Sequence, residues 1–379
     1  MTIEGSHARE SAGNLPATLQ AVERASADLR RGGVIILAGD GQALLVQAAE
    51  MASRHSLARL RALSGGGASL AVTGRRAQVL GFDEGVNGVV LISLAGGVTD
   101  EAVRQLADPT AEAPQLAPIA VQRVTPKDLA TGAVEATKLA RLLPATVIAP
   151  VPTDRLSYLS AWANAEGLLV VEIDNMRAYR AVEARYLRFV GEARVPLGNA
   201  QDARVVAFRP GDGGKEHLAI VVGDLDPTAS ALTRLHSECF TGDLLGSLRC
   251  DCGDQLRGAI AAICEAGSGV LIYLAQEGRG IGLVNKLRAY ALQDAGFDTV
   301  RANEQLGFDD DERIYLPAVE ILRHLGIDRV RLMTNNPAKI DALGRFGIKV
   351  TERVPLSFPA NEFNTEYLKT KQSRLGHLF

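Results

Sequence analysis

The sequence predicts an α/β (α+β) protein of two domains, each a mixed sheet with packed helices. Three observations carry that reading. The chain has 379 residues, and a typical domain runs to roughly 100–200. Hydrophobic residues make up 47% and charged residues 22%, ordinary globular proportions with apolar mass for two cores. Short apolar runs of strand type alternate with helically spaced stretches along most of the chain.

The polar segment 1–17 holds no apolar run, so no secretory signal is expected there. Leu19 to Leu29 has helical spacing and stops at Gly32-Gly33. Val34 to Leu37 is a short buried strand closed by Gly39-Asp40-Gly41, after which Ala43 to Met51 is expected to return to helix. Val89 to Ile92, Thr146 to Ala149 and Leu168 to Val171 are further strands, and Ala136 to Leu143 and Tyr158 to Ala165 are helical. Ser64 to Gly67 is a turn, and no solenoid-length repeat occurs. The first domain is expected over 18–176. Asp174-Asn175-Met176 ends its last strand, and the charged Arg177, Arg180, Glu183 and Arg185 mark a boundary. The second, 187–379, opens with strands at Leu187 to Val190, Ala203 to Phe208 and Leu218 to Val222, with Gly211 to Gly214 a turn between the last two. Asp254 to Ala266 is a helix with Leu256, Ile260, Ile263 and Cys264 on its apolar stripe. Val270 to Leu274 is a strand, Leu283 to Asp294 a helix, and Val330 to Met333 a strand leading into Thr334-Asn-Asn-Pro337 and another helix.

A net charge of −3 leaves no electrostatic footprint for nucleic acid. No apolar run approaches the ~18 residues of a membrane span. Neither nucleic acid nor membrane is therefore expected as a partner. Of four cysteines, Cys239, Cys250 and Cys252 fall close together and Cys264 lies on a helix stripe. So sparse a set suits a reducing, cytoplasmic compartment.

Four constellations could carry chemistry. Cys239-x10-Cys250-x-Cys252 offers three soft thiolates, a donor set for zinc with the fourth tetrahedral position open. The alternatives on spacing alone are a structural zinc site completed by a distant histidine, or small buried residues without metal. Gln276-Glu-Gly-Arg-Gly-Ile-Gly282 allows close backbone approach to a ligand, with Arg279 for a phosphate, although a plain glycine turn reads the same way. Thr334-Asn-Asn-Pro-Ala-Lys339 puts a helix start and a cation after a strand, the makings of an anion site or of simple capping by Asn335 or Asn336. Asp309-Asp-Asp-Glu-Arg313 taken alone is a solvated acidic turn.

Together these segments resemble the GTP cyclohydrolase II family of riboflavin biosynthesis over about residues 187–379. The resemblance runs through Arg234-Leu-His-Ser-Glu-Cys-Phe-Thr-Gly-Asp, Ser247-Leu-Arg-Cys-Asp-Cys-Gly, Gln276-Glu-Gly-Arg-Gly-Ile-Gly-Leu and Asn285-Lys-Leu-Arg-Ala-Tyr-Ala-Leu-Gln-Asp, then Asn303 to Phe308, Thr334-Asn-Asn-Pro and Gly376-His-Leu. It implies one zinc ion on Cys239, Cys250 and Cys252, and hydrolytic opening of the guanine imidazole ring with loss of formate. It implies Arg313 as the group attacking the α-phosphate with loss of pyrophosphate, Asp311 as its acid/base partner and Tyr290 near the base. GTP contacts are implied for Arg234, Leu235, His236, Ser237, Glu238, Gln255, Glu277, Gly278, Arg279, Thr299, Thr334 and Lys339, with Mg2+ on the triphosphate and a homodimeric assembly. The expected product is 2,5-diamino-6-(5-phosphoribosylamino)pyrimidin-4-one. Ala275 stands where the family usually has arginine, and Arg301 where it commonly has glutamate. Those departures keep open a GTP-binding regulatory paralogue or a cyclohydrolase of altered nucleotide preference.

Residues 18–175 resemble, more weakly, the 3,4-dihydroxy-2-butanone 4-phosphate synthase domain, with an opening helix–strand–loop–helix layout over Ala21 to Glu50. Its acidic catalytic loop is replaced by Gly39-Asp-Gly-Gln-Ala-Leu-Leu, and its His-Thr-Glu segment is matched only by Gly132-Ala-Val-Glu135. The carboxylates for magnesium and proton transfer are thereby gone. An inactive, structural or dimerising domain is expected, with Glu135 a solvated helix residue. A bifunctional enzyme with residual synthase activity is the remaining alternative.

Overall fold

A computed structural model describes residues 16–64, 67–82, 87–94, 98–112 and 120–365. The predicted polar tail therefore lies outside the described residues except for Pro16 and Ala17, as do Gly65 and Gly66 of the predicted turn and the Gly376-His-Leu motif.

Helix α1 (Ala17–Arg30) leads into β1 (Ile35–Gly39) and β2 (Gln42–Ala48). The helix expected over Ala43 to Met51 is thus a strand, followed by one short 3-10 turn at Ala49–Met51. Asp40 and Gly41 both take positive φ, 51° and 72°, the two-residue turn that matches strand twist and folds β2 back on β1. Gly39 pairs with Gln42 and Ile35 with Val46. There follow α2 (Arg54–Ser64), β3 (Ser69–Thr73), α3 (Gly74–Val79), β4 (Val89–Ser93), α4 (Asp100–Ala107), β5 (Val121–Val124), α5 (Leu129–Leu139), β6 (Ala145–Pro150), α6 (Leu159–Ala165), β7 (Val170–Glu172) and α7 (Ile173–Arg185). Among the described residues the strands form one sheet in the order β5-β4-β3-β6-β2-β1-β7. The charged stretch expected to mark the boundary is a regular element. It is helix α7, which buries Ile173, Met176 and Tyr179, exposes Arg177 and Arg185 and leaves Arg180 and Glu183 half-buried.

The second sheet contains β8 (Arg188–Arg194), β9 (Arg204–Arg209), β10 (His217–Val222), β11 (Ala231–Ser237), β12 (Gly269–Leu274), β13 (Arg329–Met333) and β14 (Lys349–Val354). Its order is β14-β13-β11-β12-β10-β9-β8. The β11, β12, β13 and β14 pairings are parallel, while β8, β9 and β10 add antiparallel pairs. The connecting helices are α8 (Cys252–Glu265), α9 (Leu283–Asp294), α10 (Thr299–Leu306), α11 (Leu316–His324) and α12 (Pro337–Arg345). Helices α11 and α12 cover one face through Ala318, Leu322 and Leu343, and α8 covers the other through Ala259 and Ile263.

Each sheet has apolar clusters of its own, and one cluster of the first is shared with the second unit. Ile281, Ala289 and Leu292 around α9, with Ala302, Leu306 and Phe308 around α10, join the apolar cluster on one face of the first sheet. Polar contacts frame this seam. Thr73 donates to the Gly307 carbonyl at 2.8 Å, and buried Arg76 donates to the Gln305 carbonyl at 3.2 Å. Burial pulls the Arg76 pKa down to about 10.

Candidate functional site

The site opens at the ends of the parallel strands β11 and β12. Successive residues of a strand face opposite ways. On β11, Arg234 and His236 line the cleft, whereas Leu235 is buried in the core beneath it. The Leu235 side chain, expected at the substrate, therefore does not line the cleft. Its carbonyl instead accepts from Lys339 Nζ at 2.8 Å. Strand β11 has no clear alternation of apolar residues, because Thr233, Arg234 and His236 are themselves buried.

The three cysteines meet from different elements. Cys239 follows β11, Cys250 precedes α8, and Cys252 is its first residue. Their sulfurs all lie within 4.8 Å of one another. A π-turn, Phe240–Leu244, wraps them, and a Cβ on Gly242 would come within 2.7 Å of the Cys250 sulfur and 3.0 Å of the Cys239 sulfur. Only glycine leaves that cradle open. Three soft donors converging this closely fit a zinc ion.

Lys286, inside the Asn285-to-Asp294 motif but given no role on sequence, completes the surroundings. From the buried face of α9 its ammonium donates to Cys239 Sγ at 3.0 Å, Thr241 Oγ1 at 2.9 Å and Glu277 Oε1 at 2.9 Å. Hydrogen bonds from Cys250 and Cys252, then the Lys286 charge, hold the Cys239 thiol far below its ordinary range. The hydrogen bond to Cys239 pushes Cys250 up to about 11. Tyr290 stands one turn beyond Lys286, the i,i+4 spacing that puts both on one face. Its hydroxyl lies 3.5 Å from Thr241 Oγ1, with the Arg249 guanidinium 5.1 Å from its ring centre. Burial lifts the Tyr290 pKa to about 12.

Several of the predicted contact residues, while lining the cleft, also brace it. Glu277 is buried, with one oxygen accepting from Phe240 N at 2.6 Å and the other from Gly278 N at 2.9 Å as well as from Lys286. Gln255 accepts from Arg234 and donates to Asp251. Ser237 accepts from Gln276, and Glu238 accepts from Lys215 at 3.0 Å. Gly278 and Arg279 both have positive φ, 63° and 60°, so the glycine segment turns sharply and brings Arg279 into the cleft wall. Thr299 lies on the wall at the start of α10. At the next helix start, Asn336 caps α12 by accepting from Ala338 N at 3.0 Å, with Pro337 in the first turn. Thr334 accepts from Asn336 N, and both Thr334 and Lys339 line the cleft.

The acidic run is more than a solvated turn: Asp309 and Asp311 are exposed, yet its carboxylates are paired with cations. Asp311 and Arg313 form a two-point pair, with Arg313 Nε 2.7 Å from Asp311 Oδ1. Burial raises the Asp311 pKa, but the Arg313 hydrogen bond and charge outweigh it and keep the carboxyl below its usual range. Arg313 reaches the cleft; Asp311 sits behind it.

The cleft and the open solvent at its mouth together span about 1190 Å³. Arg234, Arg249, Arg279, Lys286, Arg313 and Lys339 make its walls strongly cationic. Buried Arg234 Nε, His236 Nδ1 and Glu238 Oε2 have no hydrogen-bond partner among the described residues. Asn303, Gln293 and Asn335 also line it; they lie within the quoted motifs but are not among the expected substrate contacts. Ala275 is buried outside the cleft wall, its carbonyl 3.5 Å from the Arg141 guanidinium, and Arg301 lies exposed on α10.

Residues 188–355 match the family model described as GTP cyclohydrolase II. A GTP cyclohydrolase-2 from Azospirillum brasilense is 52% identical over 366 residues, covering 96% of this chain and 95% of that one. The chain belongs to the GTP cyclohydrolase II family. Membership makes it a hydrolase. A GTP cyclohydrolase-2 from Pseudomonas paraeruginosa is 58% identical over 171 residues, 45% of this chain and 83% of its own. Family members thus occur at about half this length and at its full length. A solved two-domain 3,4-dihydroxy-2-butanone 4-phosphate synthase from A. baumannii covers 89% of this chain and 99% of its own at 17% identity, with a TM-score of 0.35.

Proposed function

We propose that the chain hydrolyses GTP, opening the imidazole ring and releasing formate and pyrophosphate to give 2,5-diamino-6-(5-phosphoribosylamino)pyrimidin-4-one, the first step of riboflavin biosynthesis. The observation that carries this is the meeting of three thiols, Arg313 and Asp311, and five further cations in and around one cleft.

Cys239, Cys250 and Cys252 would hold a zinc ion. When bound it supplies Lewis-acid activation of water near neutral pH. Lys286 keeps Cys239 in the thiolate form needed for ligation. Arg234, Arg279 and Lys339, with the start of α12, bind and neutralise the triphosphate alongside Mg2+. Asp311 aims the Arg313 guanidinium at the α-phosphorus and takes the proton that Arg313 must shed to act as a nucleophile. Tyr290 stays protonated across the working pH range and donates its hydroxyl near the base. His236 is held neutral by burial, against the pull of Asp243 at 3.0 Å, and turns Nδ1 to the nucleotide.

We assign the synthase-like unit, 18–176, no chemistry of its own and the cyclohydrolase unit, 187–379, all of it. Ala133 and Val134 of the segment standing in for His-Thr-Glu are fully buried among apolar side chains, and a Cβ on Gly132 would lie 2.0 Å from Ile173. Such packing supports a scaffold rather than a sugar-phosphate site. No helix among the described residues is long and apolar enough to cross a membrane. The protein acts in the cytoplasm, without nucleic acid or membrane partners. It works as a homodimer, for which the exposed Leu244, Leu245 and Leu248 beside the thiols offer an apolar face. Ala275 and Arg301 lie off the cleft wall, so neither departure favours the regulatory paralogue.

The test is direct. Zinc-loaded protein given GTP and Mg2+ should release formate; GTP bound without turnover would point to a regulator instead.

A further inference from the structure

We propose that Lys138, in the synthase-like unit, is a positioning residue for the catalytic loop of the cyclohydrolase unit, acting through Glu312. This rests on the reading that Arg313 and Asp311 belong to the reaction.

The acidic run divides by side. Asp311 turns to Arg313, and the other three carboxylates turn to cations of the synthase-like unit. Arg75 reaches Asp309 at 3.4 Å and Asp310 at 3.3 Å. Lys138 reaches Asp309 at 3.3 Å and Glu312 at 2.7 Å, and Arg180 lies 3.7 Å from Glu312. The Lys138–Glu312 pair is the buried member, with side chains 8% and 9% exposed. Burial lowers the Lys138 pKa. The Glu312, Glu135 and Asp309 carboxylates outweigh it, so the ammonium stays charged.

Glu312 is tied into the loop at three points. Its Oε1 accepts from Asp309 N at 3.1 Å, and its own N donates to the Arg279 carbonyl at 3.1 Å. Gly280, at φ 97°, presses so close that a Cβ there would lie 2.9 Å from the Glu312 carbonyl. Glu312 is therefore the clip between the loop carrying Arg313 and the turn carrying Arg279. One end of that clip is held by a charge from another unit, 174 residues away in sequence. Removing one partner of a buried pair leaves the other uncompensated, and the loop must shift to rehydrate it. A displacement of about 1 Å at a reacting group can cost on the order of 10²-fold in rate.

The experiment compares Lys138→Met and Glu312→Gln with wild type in the full-length, zinc-loaded protein. Glu312→Gln keeps an acceptor for Asp309 N, so it also serves if Lys138→Met fails to fold. Expected are a kcat at least tenfold lower, a KM for GTP within threefold, and unchanged zinc content. Deuterium uptake should rise in residues 308–315 and not in α8 or β12. A folded variant of either kind with kcat within twofold of wild type, or with unchanged uptake in the loop, overturns the proposal. Formate missing from the wild type too would instead sink the proposed function, and the exchange data would still decide whether Lys138 orders the loop.

Discussion

Lys286 shows how much of this site is electrostatics held in place by single contacts. A buried ammonium 3.0 Å from a sulfur favours the thiolate, and the same ammonium anchors Glu277, which in turn holds the backbone of the thiol loop through Phe240 N. The fit around the sulfurs is as tight as the charge balance. Gly242→Ala puts a methyl within 3.0 Å of the Cys250 and Cys239 sulfurs and of the Cys252 Cβ, so it is expected to lose most bound zinc. Cys250→Ser should do the same by removing a donor, and both should abolish formate release. Metal analysis and a formate assay check this; a zinc-replete Gly242→Ala protein would show that the loop gives way. The three cysteines are legible in the sequence because thiols rarely cluster by chance in so cysteine-poor a chain. Lys286 is legible too, at four residues from Tyr290 in a recognisable helix, but only if the face it shares with Tyr290 is weighed. The Leu235 side chain packs in the core, a direction along the strand that motif matching does not convey.

At the scale of elements, the instructive error is β2. Gln42 to Ala48 is apolar enough for a buried helix, and length alone does not separate the two. Asp40-Gly41 does carry the information, as a turn that demands positive φ twice and delivers the chain antiparallel. A methyl group on Gly41 would meet nothing within 4 Å, so Gly41→Ala tests backbone strain alone. It is expected to cost about 1–2 kcal/mol, seen as a lower urea midpoint, with formate release at room temperature unchanged. An unchanged midpoint would mean the turn relaxes. By contrast α9 is bounded correctly at Leu283–Asp294, because its amphipathic spacing and the glycines before it agree. Strand β11 escapes sequence reading for a functional reason: its buried positions are polar where they face the cleft.

The whole molecule is joined through one apolar seam and one ionic one. Ile281, Leu292, Leu306 and Phe308 are each at most 5% exposed against the first sheet, and burying such a side chain stabilises by about 1.5–3 kcal/mol. A fragment of residues 187–379 is therefore expected to aggregate or to bind an apolar dye strongly, although shorter relatives exist. A soluble, fully active fragment would show that the seam is dispensable. None of this coupling is legible in the sequence, since Lys138 and Glu312, or Thr73 and Gly307, meet only after both sheets have formed. The central claim is that thiols and arginine act on one nucleotide in one cleft. Counting products from the zinc-loaded full chain with GTP and Mg2+ tests it most directly. One formate per pyrophosphate is the expected result, and pyrophosphate without formate, or neither, would contradict it.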